Sequence, residues 1–376
     1  EDYYVEGLRR DPTDIRLNNA YGRCLLKKCD FDGAEKYFRK AVEKAIRSNP
    51  NPYDYEPYYN LGLSLKYQGK EKEAYDAFYK AIWGDSFQAA CLDAKAGRFA
   101  EALEHVNESI LRQYQCMKTR ALKENILKKL GRVQEAEELH KESLKIDPLY
   151  DRQPEKINHN TLLELMIDLY EAGDYAQGIA LAKKWVEQQN VSRQEDIYPL
   201  VYYYIAYGYQ NLHRKENTKQ TNHYMTVYVT LGENAVADGC FPHRTEDYIV
   251  LKSLADDYYL DMVYYYLGCL LYDRRAYGEA IADYEEAALR YPDFPTVHRN
   301  LALAYYNVKK QPQRAYEEME KAFALDETDA RVYLGLDQLK KRLNVPVKER
   351  WSDMEKHFDL VESRDDLYLE YVTLLN

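Results

Sequence analysis

The sequence predicts an all-α solenoid of roughly eight to nine helix pairs, and three observations carry that expectation. Apolar residues recur at helical spacing along the chain, with no alternating strand pattern. Small residues recur at a fixed interval within paired segments: Tyr264, Leu267, Gly268 and Leu271 are followed by Ala280, Tyr284, Ala287 and Pro292. Glycines suited to left-handed helix ends, Gly69, Gly97 and Gly131, fall at the same relative position, the last two 34 residues apart.

The physical reason is packing. Gly268 and Ala280 are expected where two helices cross, with Tyr264 and Tyr284 filling the space on either side. Pro292 ends the unit because it lacks the donor a continuing helix needs. At the N-terminus the same pattern gives a first unit over residues 1–47, clearest from 15 to 45, where Gly22 goes with Ala34, Phe38 and Ala41. Residues 48–57, with three prolines, read as a loop. Residues 58–150 hold units two to four. The second is complete in Tyr58, Leu61, Gly62, Leu65, Gly69, Ala74, Phe78 and Ala81. The third follows from Ala90, Gly97, Ala102 and Ser109, and the fourth from Gly131, Ala136, Ser143 and Pro148. The step from Gly69 to Gly97 is only 28 residues, which predicts a shortened helix around Trp83 to Cys91.

Residues 155–239 read as irregular units. Gly173 marks a turn, but Gly178 stands where Ala is usual, and LVYYYIAYGYQNL is a first helix with no matching second. Residues 213–239 therefore read as a loop or a distorted pair. Residues 258–327 hold two clear units, the second built on Leu301, Ala302, Tyr305, Ala315, Met319 and Ala322 with one extra residue in its turn at KKQPQ. Residues 328–376 read as a last unit and a capping helix with a wettable outer side. The whole, 1–376, is expected as a single array, because each unit contacts mainly its neighbours.

Composition narrows the function classes. A formal charge of −11 argues against nucleic acid or anionic lipid as the main partner, since phosphate binding needs clustered Lys and Arg. No signal peptide or run of about 18 apolar residues is present, which predicts no membrane span. Glu1 stands where a starting Met would, and the chain reads as a fragment of a larger protein. Tyrosine is the outlier, 39 residues against 9 Phe. One reading is amphipathic packing with the hydroxyls reaching water, the other a tyrosine-lined binding surface. Six scattered cysteines, Cys24, Cys29, Cys91, Cys116, Cys240 and Cys269, contain no CxxC and fit single buried thiols in a reducing compartment. Asn107 and Asn190 open glycosylation-type triplets, which mean little without a secretory context.

The spacing resembles the tetratricopeptide (TPR) repeat. That resemblance implies a right-handed superhelix whose concave groove is lined by the first helix of each pair. Counted from the glycine position, the groove residues are Asn19 and Arg23, then Tyr59, Asn60 and Lys66, then Tyr265 and Tyr272, then Arg299 and Tyr306. The plainer alternative is that these are exposed residues without a ligand. TPR proteins that grip a peptide's C-terminal carboxylate use Lys and Asn at fixed first-helix positions. Asn60 matches one such position, but Asn19 and Arg23 replace the pair before it and Gly84 stands where a Lys is needed, so a clamp of that kind is not expected.

The blocks CFPHRTEDYIVLK, YYYLGCLLYDRRAYGEAI, FPTVHRNLALAYYN, LDETDARVYLGLDQLKKRLN and HFDLVESRDDLYLEYVTLLN look like the C-terminal half of a bacterial family. Its members join N-terminal β-rich, carbohydrate-associated domains to a long TPR array. The resemblance is strongest over residues 240–376 and implies a cytoplasmic, carbohydrate-related protein. Its partners would be a protein or peptide, its own β-rich domains, or a second copy in a homodimer.

No phosphate loop, GxSxG, HExxH or metal-ligand cluster occurs, so no catalytic residue, metal or cofactor is expected. Carboxylate pairs such as Glu246 with Asp247, or Asp256 with Asp257, read as solvated faces. Cys240 and His243 in CFPHR read as a helix entry anchored by Phe241 and Pro242, with a thiol nucleophile the alternative. Two functions follow: a non-catalytic interaction scaffold, or an array that completes the active site of a glycoside-active enzyme.

Overall fold

The computed structural model describes residues 1–47, 55–81, 86–148, 150, 157–189, 193–216, 218–237, 239–258 and 260–375. Every regular element among them is helical. A lone α1 (Asp2–Arg10) precedes the pairs α2 (Ile15–Lys27) with α3 (Phe31–Arg47) and α4 (Tyr55–Tyr67) with α5 (Glu71–Lys80). Next come α6 (Ser86–Lys95) with α7 (Phe99–Arg112) and α8 (Met117–Lys129) with α9 (Val133–Ile146). These are followed by α10 (His159–Glu171) with α11 (Tyr175–Gln188), α12 (Pro199–Glu216) with α13 (Lys219–Asn234), and α14 (Thr245–Asp257). Then α15 (Met262–Asp273) pairs with α16 (Tyr277–Arg290), and α17 (Pro295–Ala304) with α18 (Pro312–Leu325). The chain closes with α19 (Ala330–Arg342), α20 (Val347–Lys356), the short α21 (Phe358–Glu362) and α22 (Asp365–Leu375). Two compact bodies result: Glu1–Cys240 with Arg244–Ser253, and Phe241–His243 with Leu254–Asn376.

The helices start and stop where local chemistry directs. Asp14, Asn158, Thr218 and Asp329 each accept a hydrogen bond from a backbone N–H in the first turn that follows, covering donors a helix start leaves open. Gly69, Gly97, Gly131 and Gly173 take positive φ of 74–77° at the turns. Cys29 and Arg275 hold the same left-handed turn at 63° and 61° without glycine, at a cost of about 1 kcal/mol each.

Within pairs, a glycine backbone lies flat against a ring. A Cβ on Gly22, Gly62 or Gly268 would stand 2.6 Å from the ring of Phe38, Phe78 or Tyr284 respectively. The partner of Gly268 is therefore Tyr284, and Ala280 is simply buried beside it. In the two irregular pairs the arrangement is inverted. The glycine sits on the second helix, Gly178 against Tyr170 of α10 at 2.5 Å and Gly232 against Tyr203 of α12 at 2.8 Å.

That inversion corrects the reading of residues 213–239. Among the described residues α12 runs on to Glu216, Thr218 caps α13, and Met225, Val229 and Gly232 are buried, so a second helix stands where a loop or a distorted pair was expected. The extra residue near KKQPQ is wound into a π-helical turn, Tyr305–Lys309, that continues α17 and ends at Lys310 with φ 56°. The short spacing before the third unit shows as two ten-residue helices in succession, α5 closing the second unit and α6 opening the third. Trp83 and Gly84 between them lie outside the described residues, as do Asn190 and residues 48–54 of the proline-rich loop.

Several tyrosine hydroxyls reach protein acceptors. Tyr170 donates to the Tyr204 carbonyl at 3.0 Å, Tyr203 to Glu233 at 2.7 Å and Tyr333 to Asp353 at 3.2 Å. The C-terminal end is tied by Arg350, whose buried guanidinium donates to both oxygens of Asp337 at 2.9 and 2.6 Å and to Glu370 at 2.7 Å. The outer side of α22 is not wholly wettable, since Leu369 and Leu375 stand exposed.

His298 is buried between α17 and α18 with both ring nitrogens facing acceptors, Glu318 at 2.6 Å and the Pro292 carbonyl at 2.8 Å. The Glu318 hydrogen bond raises its pKa above 6.5 against the pull of burial. Burial in turn works to raise the Glu318 pKa, but hydrogen bonds from His298 and Lys321 hold it below 4.5. A raised folded pKa means that the stabilisation from protonated His298 is fully present below pH 6.5 and is lost as pH rises through the folded value. The stability difference between wild type and His298→Gln, measured by denaturant unfolding, should be largest below pH 6.5 and narrow as pH rises above it. A difference that stays constant with pH would contradict the coupling.

Candidate functional site

In the N-terminal body the first helices turn their polar groups on one another. Asn60 donates to Asn19 at 2.9 Å with both buried, and Arg23 pairs with Glu56 at 2.6 Å. Lys66 of α4 donates to Gln88 of α6 at 2.9 Å and to Glu171 of α10 at 2.7 Å. Lys118 of α8 reaches Asp168 at 2.7 Å and lies 3.6 Å from the second oxygen of Glu171, with the Phe87 ring 5.2 Å beneath it. Tyr67 donates to Glu246 at 3.0 Å. Lys66, Tyr67, Cys91, Glu171, Tyr204 and Glu246 line a cavity of about 100 Å³. Burial works to raise the Glu171 pKa, but Lys66 and Lys118 hold it below the usual carboxylate range. Burial pushes the Cys91 thiol and the Tyr67 and Tyr204 hydroxyls well up.

Two nominated chemical groups prove structural. Asp247 is fully buried, accepting from the Tyr204 hydroxyl at 2.8 Å and the Arg244 backbone at 2.9 Å, so the pair with Glu246 is not a solvated face. Cys240 and Pro242 are buried while Phe241 is 67% exposed, so Phe241 does not anchor the entry to α14. His243 is exposed, its ring nitrogen 3.2 Å from the Phe241 carbonyl. The six cysteines are free thiols. Among the described residues no group of His, Cys, Asp and Glu could hold a metal, and no helix is long and apolar enough to cross a membrane.

The remaining sequence-nominated residues divide by role. Tyr59 is half-buried beside Phe78 at 5.8 Å. Tyr265 is buried edge-on to Phe294 at 4.9 Å, and Tyr272 edge-on to Tyr277 at 5.1 Å. Arg299 and Tyr306 are half-buried on α17 and its π-helical turn. Tyr306 opens onto a second cavity, about 290 Å³, between that helix and α19. Ala302, Leu303, Met319 and Leu339 give it an apolar lining, and Gly335 adds no side chain. Its polar lining is Tyr306, Asn307, Gln338 and Arg342, none of which makes a side-chain hydrogen bond or ion pair among the described residues. No carboxylate lines it.

Six residues of these two places were missed from the sequence: Lys118, Asp168, Glu171, Asn307, Gln338 and Arg342. Counting back from Gly173, the turn glycine of the fifth unit, would have put Glu171 on the same face as Tyr67, two residues before Gly69. For Gln338 and Arg342 the π-helical turn shifts the register, so counting on from Ala302 at the 34-residue period misplaces them.

Residues 265–330 and residues 55–82 each match models of the tetratricopeptide repeat. Similar solved structures include a tetratricopeptide repeat protein from Parabacteroides merdae ATCC 43184, at 14% identity over 86% of this chain and 98% of that one, with a TM-score of 0.35. Another is the APC/C hetero-tetramer Cut9-Hcn1, at 14% identity over 100% of this chain and 85% of that one, TM-score 0.32. MamA from Desulfovibrio magneticus RS-1 is 19% identical over 55% of this chain and 96% of that one, TM-score 0.29. The fold is an all-α TPR array.

Glu171→Gln leaves the ammonium groups of Lys66 and Lys118 without their shared counter-charge. Denaturant unfolding should show a loss of about 3 kcal/mol. Glu73→Gln, which breaks an exposed pair with Arg39, should cost less than about 1 kcal/mol. Equal losses would show that the inner pairing contributes no more than a surface one.

Proposed function

We propose that the chain is a protein-interaction scaffold and that its docking surface is the first-helix groove of the C-terminal body. The observation that carries this reading is the set of four polar side chains around the 290 Å³ cavity, Tyr306, Asn307, Gln338 and Arg342, whose hydrogen-bonding capacity is unspent. Groups of this kind, beside an apolar floor, gain more from a partner than from water once water is displaced. Tyr and Arg are also the residue types that carry most interface energy when buried by a partner.

A non-catalytic role is supported by where the reactive candidates stand. Asp247 and Glu246 hold tyrosine hydroxyls, and Cys240 is buried. The link to a cytoplasmic bacterial protein with carbohydrate-associated β-rich domains rests on the sequence resemblance over residues 240–376. Within the proposal, those domains, a second copy or a foreign protein segment are all protein partners for one surface.

Selection of random twelve-residue peptides on phage against the full chain tests the reading. Enriched peptides should bind wild type about tenfold or more tightly than Tyr306→Ala/Gln338→Ala, with the variant's thermal midpoint unchanged. No enrichment, or equal binding to the variant, would overturn the groove as the docking surface.

A further inference from the structure

We infer that the occupant of this groove is an extended segment of another protein carrying one apolar side chain and, close to it, one carboxylate. The inference rests on the docking reading above and adds the chemistry of the partner. The apolar floor comes from three helices: Ala302 of α17, Met319 of α18 and Leu339 of α19. Gly335 lets the Met319 methyl close the floor, since a Cβ there would stand 2.9 Å from it. The 290 Å³ above that floor admits an aliphatic side chain, with the flexible Met319 thioether adjusting to it.

Asn307 and Gln338 come from successive first helices, and each offers both a donor and an acceptor with no partner among the described residues. A helix has already spent its backbone N–H and C=O groups, whereas an extended segment presents both to its neighbours. Two such amides from successive first helices therefore suit an extended backbone. Charge supplies the last term. At the end of α19, Lys340 is held by Asp353 at 2.6 Å and Lys341 by Glu370 at 2.7 Å. Arg342, the next residue, lines the cavity exposed and unpaired, in a chain of net charge −11. With no carboxylate in the lining, the complementary acid comes from the occupant, and a guanidinium grips it through two parallel hydrogen bonds.

The test uses fluorescein-labelled nonapeptides with Leu fixed at the centre and the flanking positions randomised, screened by anisotropy against the full chain. Asp or Glu should be enriched at one flanking position. Changing that residue to Gln or Asn should weaken binding about tenfold or more. Arg342→Gln should abolish the difference between the two peptides, read as the ratio of their affinities for the same variant. Binding without acidic preference, or a preference that survives Arg342→Gln, overturns the inference and leaves the docking reading standing. No binding by any peptide overturns both. A concentration-dependent dimer lost on Arg342→Gln, with no peptide bound, assigns the groove to a second copy and likewise overturns the inference.

Discussion

A glycine backbone against the face of an aromatic ring is the contact on which this architecture depends. At Gly22, Gly62 and Gly268 there is no room for even a methyl group before Phe38, Phe78 and Tyr284. Two helices held that close bury most of their facing residues in a layer only two helices thick. In so thin a layer a buried ring can still lie beside a carbonyl or carboxylate, as Tyr170, Tyr203 and Tyr204 do. That explains the tyrosines: the ring supplies apolar area, and the hydroxyl still has a carbonyl or carboxylate within reach. Tyr203 does both, nesting against Gly232 and donating to Glu233. A Phe there would fill the same space and lose that hydrogen bond.

The first helices use their polar residues in two ways. In the N-terminal body Lys66, Glu171, Lys118 and Asp168 converge from three helices that lie far apart in sequence. Desolvating four charges costs several kcal/mol per ion, and the compensation is mutual pairing, so this network specifies which helices meet more than it adds stability. In the C-terminal body the corresponding face carries Asn307, Gln338 and Arg342 unspent around a cavity. The same repeat thus builds one inner face whose charges pair within the chain and another whose polar side chains do not.

The periodic part of the fold was legible because nesting forces small residues to recur, and a recurrence can be counted. Units one, two, seven and eight were placed from it. The inverted nests escaped because the rule was read with the glycine on the first helix. Gly178 looked like a defect, and Gly232 like part of a loop, although each meets a ring on the preceding helix. Turns held by Cys29 and Arg275 carry no glycine signal at all, since the left-handed conformation is imposed by the flanking helices. The site was less legible still. Asn19, Asn60 and Tyr265, counted as groove residues, are buried between neighbours. Lys66 meets Glu171 across 105 residues, a distance that no local count spans. The extra residue before Pro312 was visible, but the register shift of its π-helical turn was not.

The most direct test of nesting is a double-mutant cycle on Gly62→Ala and Phe78→Leu, read by denaturant unfolding. Gly62→Ala alone should destabilise by about 1–3 kcal/mol despite the better helix propensity of alanine, because its methyl group meets the Phe78 ring. With Phe78 shortened to Leu the clashing atoms are gone, and the same substitution should become neutral or stabilising, a coupling of about 1 kcal/mol or more. An identical cost in both backgrounds would contradict the contact on which the fold rests.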